Sequence, residues 1–162
     1  MAVDMFLKLA GDIKGESKDH KHKDEIDVLA WSWGVSQSGT FHMGGGGGGG
    51  KASFQDISVT KYVDKASNGL LRACSTGEAL PTADLFVRKA GKKPLEYIVI
   101  KMKNVLVTSV STGGSGGEDR LTENISLNFE EVEYTYTPQK ADGSGDAPMP
   151  FKFNIGTNEF KG

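Results

Sequence analysis

The sequence predicts a mainly β, barrel-like fold, and three stretches carry the prediction. The first is Arg120–Thr137, RLTENISLNFEEVEYTYT. Leu121, Glu123, Ile125, Leu127 and Phe129 fall on one side of an extended chain, and Thr122, Asn124, Ser126 and Asn128 on the other. That is the period of a half-buried strand. Beyond Phe129 the pattern slips, because Val132, Tyr134 and Tyr136 continue the apolar series on the opposite parity. An extra residue near Glu130–Glu131, a β-bulge, would restore the register. At about 3.3 Å per residue the stretch spans roughly 60 Å, whereas a compact domain of this length is about 40 Å across. The strand must therefore curve around a barrel, switch sheets or project. The second stretch is Glu25–Gln37, with Leu29, Trp31, Trp33 and Val35 on one face and Ile26, Val28, Ala30, Ser32 and Gly34 on the other. Two tryptophans one strand step apart belong in a core, or in an interface that acts as a second core, and the small residues around Ser32 make the opposite face one that meets something close by or a wall that stays smooth. The third is Leu95–Ser111, apolar on both parities, as expected of a strand that is bent or buried on both sides.

The remaining elements follow in order. Ala2–Leu9 alternates as a strand, and Gly11–Asp24 is a run of mixed charge expected to be a solvated loop. Ser38–Lys51 contains seven consecutive glycines, Gly44–Gly50, and is expected to be a long flexible loop, because glycine loses the most backbone entropy on ordering. Ser53–Val63 reads as a strand. Asp64–Cys74 reads as the one helix, capped by Asp64 or Ser67, with Leu70, Leu71 and Cys74 as its apolar face and Gly77 beyond its end. Ala83–Lys89 is a further strand after Pro81, Thr112–Gly117 a turn or loop, the Gly/Pro/Asp-rich stretch after Pro138 a loop, and Phe151–Ile155 a short last strand.

The chain has 162 residues, a net charge of −2, 37% hydrophobic and 25% charged residues, which suits one soluble domain, 1–162. The charge gives no reason to expect nucleic acid as partner, and no apolar run is long enough for membrane insertion. The N-terminal MAVDMFLKL has an acid where a secretory signal carries positive charge. A single cysteine, Cys74, excludes an internal disulfide.

Motifs for chemistry are weak. Gly45–Ala52 imitates a phosphate-binding loop, but Ala52 stands where the magnesium-holding hydroxyl belongs, and a strand follows in place of a helix. His20 and His22, flanked by lysines, suit a solvated surface better than a metal, and His42 stands alone. Cys74 reads as a small hydrophobe, and Glu131 and Glu133 as ordinary acids on an outer strand face. No catalytic, cofactor-binding or metal-binding residue is assigned, and the protein is not expected to be an enzyme. Two classes stay open: a self-associating structural protein and a monomeric ligand-binding β-barrel.

Several long strings narrow this choice. MAVDMFLKL, KDEIDVLAWSWGVSQSGTFHMGGGGGGGK, KYVDKASNGLLRACSTGE, VSTGGSGGEDRLTENISLNF and YTPQKADG resemble the haemolysin-coregulated proteins, Hcp, of bacterial type VI secretion systems, from Met1 to about Gly143. The tail, 144–162, carries no such string. The resemblance implies a two-sheet antiparallel β-barrel with one flanking helix, a homo-hexameric ring, and rings stacked into a tube. It further implies partnership with sheath and spike proteins, small effector proteins carried in the lumen, and export from the cytoplasm without a signal peptide. Laid onto the residues, it implies that Ser32, Ala30 and Gly34 line the channel if the tryptophans face the barrel core. The glycine loops, with Gly44, Gly47, Gly50, Gly114 and Gly116, would then serve contacts within or between rings.

Overall fold

A computed structural model describes residues 2–42 and 44–162. Its elements are β1 (Val3–Leu9), β2 (Ile26–Ser32), β3 (Val35–Ser36), β4 (Ser53–Phe54), β5 (Ile57–Tyr62), α1 (Ala66–Thr76), β6 (Ala79–Lys89), β7 (Leu95–Thr112), β8 (Thr122–Tyr136), β9 (Met149–Asn154) and β10 (Glu159–Phe160). All pairings are antiparallel. The order β8-β5-β2-β1-β6-β7 closes on itself through β7–β8, and β9 and β10 extend the sheet beyond β8. The result is a closed barrel with one helix and a small second sheet, β3–β4.

The strand expected to bend does so by changing partners. On one side β8 pairs with β7 along nearly its whole length, while on the other it pairs with β5 from Thr122 to Leu127 and with β9 from Glu131 to Tyr136. The parity switch is present, since Phe129 and Val132 are both buried. Its cause differs from the expected bulge. Register between β7 and β8 runs unbroken through Val105↔Phe129 and Lys103↔Glu131, and β7 switches parity at the same place, with Met102 and Val105 both buried and Asn104 at φ +52°. Both strands turn together, so neither needs an unmatched residue. The one-residue bulge in this pair lies on β7, between Val107 and Ser109.

A second bulge corrects the reading of β2. Register between β2 and β5 shifts between Val28 and Ala30, so Ile26 and Val28 face the core before it, and Trp31 and Trp33 pack against the core after it. Leu29, expected beside the tryptophans, is turned out and is 40% exposed. The helix buries Leu70 as expected, together with Ala66 and Ala73, and Cys74 packs against the core, but Leu71 is turned out and exposed. The N-cap position is Lys65, not Asp64 or Ser67, and its side chain makes no capping bond; Asp64, one residue earlier, accepts the Ala66 N–H through Oδ1 at 2.9 Å.

The charged segment 11–24 is a loop whose lysines and His20 are exposed as expected, but it is anchored to the barrel and not freely solvated. Ile13, Ser17 and His22 are buried, and the segment lies as a strap across β1 and β6. His22, expected at the surface, stacks on Phe6 at 4.4 Å and lies 4.7 Å from Phe86. Its Nδ1 faces Glu25 at 2.9 Å and its Nε2 faces Glu96. Burial pushes the Glu25 carboxyl up, against the pull of His22. Arg88 grips the strap through Asp19, at 3.0 and 2.5 Å.

The last part of the glycine run, Gly48–Gly50, is bonded, while Gly44, Gly45 and Gly46 have open space around them. Gly39 and Gly49 form an antiparallel bridge, Gln37 exchanges two side-chain hydrogen bonds with the backbone of Gly50 at 2.6 and 2.7 Å, and Thr40 Oγ1 engages Gly48. The segment between β3 and β4 is a hairpin arm whose return limb is glycine. At its root Trp33 stacks on Phe54, and Phe54 meets Phe153 of β9 at 4.8 Å. The tail that carries no family string therefore holds the arm against the barrel.

Candidate interaction surfaces

Pairing register places outward side chains of β2, β5, β8 and β7 in rows. One row is Ser32↔Ser58↔Ser126↔Ser109, and the next is Ala30↔Thr60↔Asn124↔Ser111. No member of either row carries a charge. The hydroxyls bond one another: Ser109 and Ser126 at 2.6 Å, Thr108 and Ser126 at 2.7 Å, and Thr60 to Asn124 at 2.7 Å. Ser32 and Ala30 lie on these rows. Gly34 does not. It sits at the root of the arm, where a Cβ would lie 3.1 Å from the Gln55 side chain.

Directly beneath the rows is an ionic cluster that the sequence reading missed. Lys61, wholly buried, sends Nζ to Glu123 at 2.5 Å, to Asp64 at 2.8 Å and to the Tyr62 carbonyl at 2.8 Å. Ser67 of α1 donates to the same Glu123 oxygen at 2.6 Å. The signal was there in the alternation. Glu123 falls on the apolar parity of its strand, and Lys61 continues the series Ile57, Val59. A charge in a core position has to be paired.

The opposite half of the barrel reverses the arrangement. Outward residues there form the row Lys8↔Asp84↔Lys101↔Glu133↔Lys152, alternating in sign across five strands. Beside it Glu131 receives Asn154 at 2.7 Å and Lys161 at 3.3 Å, which together lower its carboxyl below the usual range. Burial raises Asp84, against the pull of Lys101 and Lys8. Glu131 and Glu133 are thus ion-pair partners of lysines on an outer face, as expected of them. Among the described residues no group of three or more His, Cys, Asp or Glu side chains is placed to hold a metal.

The named glycines occupy two places. On the arm, Gly47 backs onto Thr40 and Phe41, where a Cβ would meet backbone at 2.8 Å, and Gly50 backs onto Ser38; Gly44 has open space around it. In the β7–β8 connection Gly114 lies under Leu121, where a Cβ would come within 2.3 Å, and Gly116 is open. Close packing against backbone already requires Gly47, whereas at Gly114 the exposed Leu121 side chain has room to turn aside.

This surface sits on a barrel with well-characterised counterparts. Residues 6–136 match the family described as type VI secretion system effector, Hcp. The chain belongs to the Hcp family. It is 61% identical to the protein hcp1 of Pseudomonas aeruginosa over 160 residues, 98% of each chain. Among solved structures, a type six secretion system protein superposes with a TM-score of 0.92 at 34% identity, covering 99% of this chain and 100% of the other. Hcp1 from Salmonella typhimurium gives 0.81 at 36% identity, covering 99% and 100%. A type VI secretion system effector from Yersinia pestis gives 0.77 at 37%, covering 93% and 99%. As an Hcp, the chain is a structural protein of the type VI secretion tube.

Proposed function

We propose that this chain forms homo-hexameric rings that stack into the inner tube of the secretion machine, with the serine rows lining the lumen. The observation that carries the reading is the four-strand face of Ser32, Ser58, Ser126 and Ser109, uncharged, small and internally bonded. A channel wall must let cargo enter, rest and leave. Short hydroxyl side chains offer hydrogen bonds without the strong adhesion of exposed ions or large apolar groups. Small effector proteins are the cargo, sheath and spike proteins the partners outside and ahead of the tube, and the whole is made in the cytoplasm and exported without a signal peptide. Contacts within and between rings involve the arm and the Gly113–Gly117 connection. Residues 1–162 act as one domain.

A ligand-binding barrel fits less well. Leu7, Ile57, Leu85, Ile100, Met102 and Leu127 have no exposure, so side chains fill the barrel interior. Light scattering separates the two readings: rings weigh roughly six times the 17.3 kDa of one chain, and a binding barrel weighs 17.3 kDa. Ser32→Gln should preserve ring mass and reduce effector retention in a pull-down. Undiminished retention with intact rings overturns the lumen assignment.

A further inference from the structure

The strap across β1 and β6 is fastened by one ring with an acid at each end. His22 is 4% exposed. It stacks on Phe6 at 4.4 Å and 14°, with Phe86 beside it at 4.7 Å. Its Nδ1 lies 2.9 and 3.0 Å from the two Glu25 oxygens, and its Nε2 lies against Glu96 Oε1. This geometry sets a proton count. An ionised carboxylate only accepts, and a neutral imidazole donates from one nitrogen and accepts at the other. With a carboxylate at both nitrogens, a neutral ring would set a lone pair against a carboxylate oxygen at one of them. Both contacts become hydrogen bonds when the cluster holds one further proton, as an imidazolium between two carboxylates. The Phe6 face suits that charge, because an aromatic face attracts a cation.

We propose that this proton is the latch of the strap: the cluster of His22, Glu25 and Glu96 holds segment 11–24 on the barrel while it is protonated and lets it open when the proton leaves. Charges stand on every element packed around the ring. Lys8 of β1 pulls the Glu25 carboxyl down, and Asp84 and Lys101 continue its row on β6 and β7. Asp27 of β2 lies opposite Phe6. Asp4, Arg88 and Glu96 form the row on the other side, and Lys21 and Lys23 flank His22 along the strap. Arg88 is already answered by Asp4 and Asp19, which leaves Glu96 to the ring. The open state has a place for Glu96 as well. Register sets it opposite Arg88, whose buried Nε has no hydrogen-bond partner among the described residues. The two states of the latch therefore differ in which donor Glu96 faces. An unfolded imidazole releases its proton near pH 6.5, so a folded cluster that keeps it binds more protons than the unfolded chain. The hold on the strap is complete below about pH 6.5 and is lost as pH rises through the point where the folded cluster titrates.

The test is hydrogen–deuterium exchange of the full-length protein, read by mass spectrometry from about pH 6 to about pH 10 and corrected for the chemical exchange rate. The strap reports through its own backbone bonds: Gly15 and Ser17 donate to the Asp24 and Glu25 carbonyls at 2.8 and 3.0 Å, and Asp24 donates to Ser17 at 2.9 Å. Protection of strap peptides should fall by about tenfold for each pH unit beyond the titration point, while peptides of β5 and β8 stay protected. Glu96→Gln separates the proton from the shape. Its amide offers Nε2 a donor, so a neutral ring with its hydrogen on Nδ1 satisfies both contacts. Strap protection in that variant should stay level across the whole range. Glu25→Gln repeats the test from the other nitrogen, and the circular dichroism melt of each variant checks that the barrel is folded. Wild-type strap protection that is level with pH, or low at every pH, overturns the latch. So does a folded Glu96→Gln or Glu25→Gln variant that loses protection along the wild-type curve.

Discussion

The two halves of the barrel keep their charge on opposite sides of the same sheet. Under β2, β5 and the first part of β8, the ions Lys61, Glu123 and Asp64 are turned inward and the outer rows are neutral. Across β1, β6, the first part of β7 and the second part of β8, the inward row Leu7↔Leu85↔Ile100↔Tyr134↔Phe151 is apolar, and the charges alternate outside. Strands β7 and β8 belong to both halves, and the change falls at the shared turn near Asn104 and Glu130. An ordinary half-exposed sheet puts charge outside, because burying ions costs several kcal/mol each before pairing repays it. The serine half accepts that cost. The inward ions tie β5, β8 and the start of α1 together, and the two outer rows of Ser32 and Ala30 are left free of charge, with the Asp56 carboxylate at their edge, bonded to Thr108 and Asn128.

The sharpest way to break this comparison is to remove the central cation. Lys61→Met leaves the Asp64 and Glu123 carboxylates buried and facing each other, so it should destabilise the fold by about 3–5 kcal/mol, read as the shift in urea midpoint at constant slope. Adding Glu123→Gln to Lys61→Met should recover part of the loss, because the two sites are coupled. A loss near zero for Lys61→Met would mean that the cluster is not what fastens the helix to this half.

Much of this division was legible in the alternation of single strands. The parity switch of β8 could be read before any coordinates, and so could the separation of the tryptophans from Ser32. What stayed hidden depends on pairing. The serine rows need the registers of four strands, and the alternating ladder needs five. The β2 bulge displaced Leu29 because one extra residue reverses every later side chain, and nothing in EIDVLAWSW marks where it falls. The strap was misjudged for a different reason. Its inward residues Ile13, Gly15 and Ser17 do alternate with Lys14, Glu16 and Lys18, but two of the three are too small to give a hydrophobic signal. His22 was read from its lysine neighbours, whereas Phe6 and Phe86, distant in sequence, decide its place.

In the charged half, the strap provides the next test. Arg88 hydrogen-bonds Asp19 and holds its carboxyl far below the usual carboxylate range. With the folded value depressed, the unfolded chain takes up the proton first as pH falls. The contribution of Asp19 is therefore fully present above its unfolded value of about 4 and is lost on descending toward the folded value. Asp19→Asn should cost about 1–3 kcal/mol at pH 7. Its urea midpoint should approach that of the unmodified protein as pH drops below about 4. Parallel curves from pH 7 to pH 3 would show that Asp19 contributes through shape and not through charge.

The smallest effect is expected in the ladder itself, and its sign is informative. Asp84 stands between Lys8 and Lys101, yet burial outweighs both and raises its carboxyl above the usual range. A raised folded value means that the proton is held more tightly in the native state. The stabilising linkage is present below the unfolded value near 4 and is lost as pH rises through the folded one. At pH 7 the Asp84 charge therefore works against folding, so Asp84→Asn should be neutral or slightly stabilising, within about 0.5 kcal/mol, a melting shift of roughly 1–2 °C. If Asp84→Asn instead lowered the melting temperature by several degrees, the alternating row would act as a cooperative network that stabilises its half of the barrel. The outer charges would then do for β1, β6 and β7 what the buried Lys61 cluster does for β5 and β8.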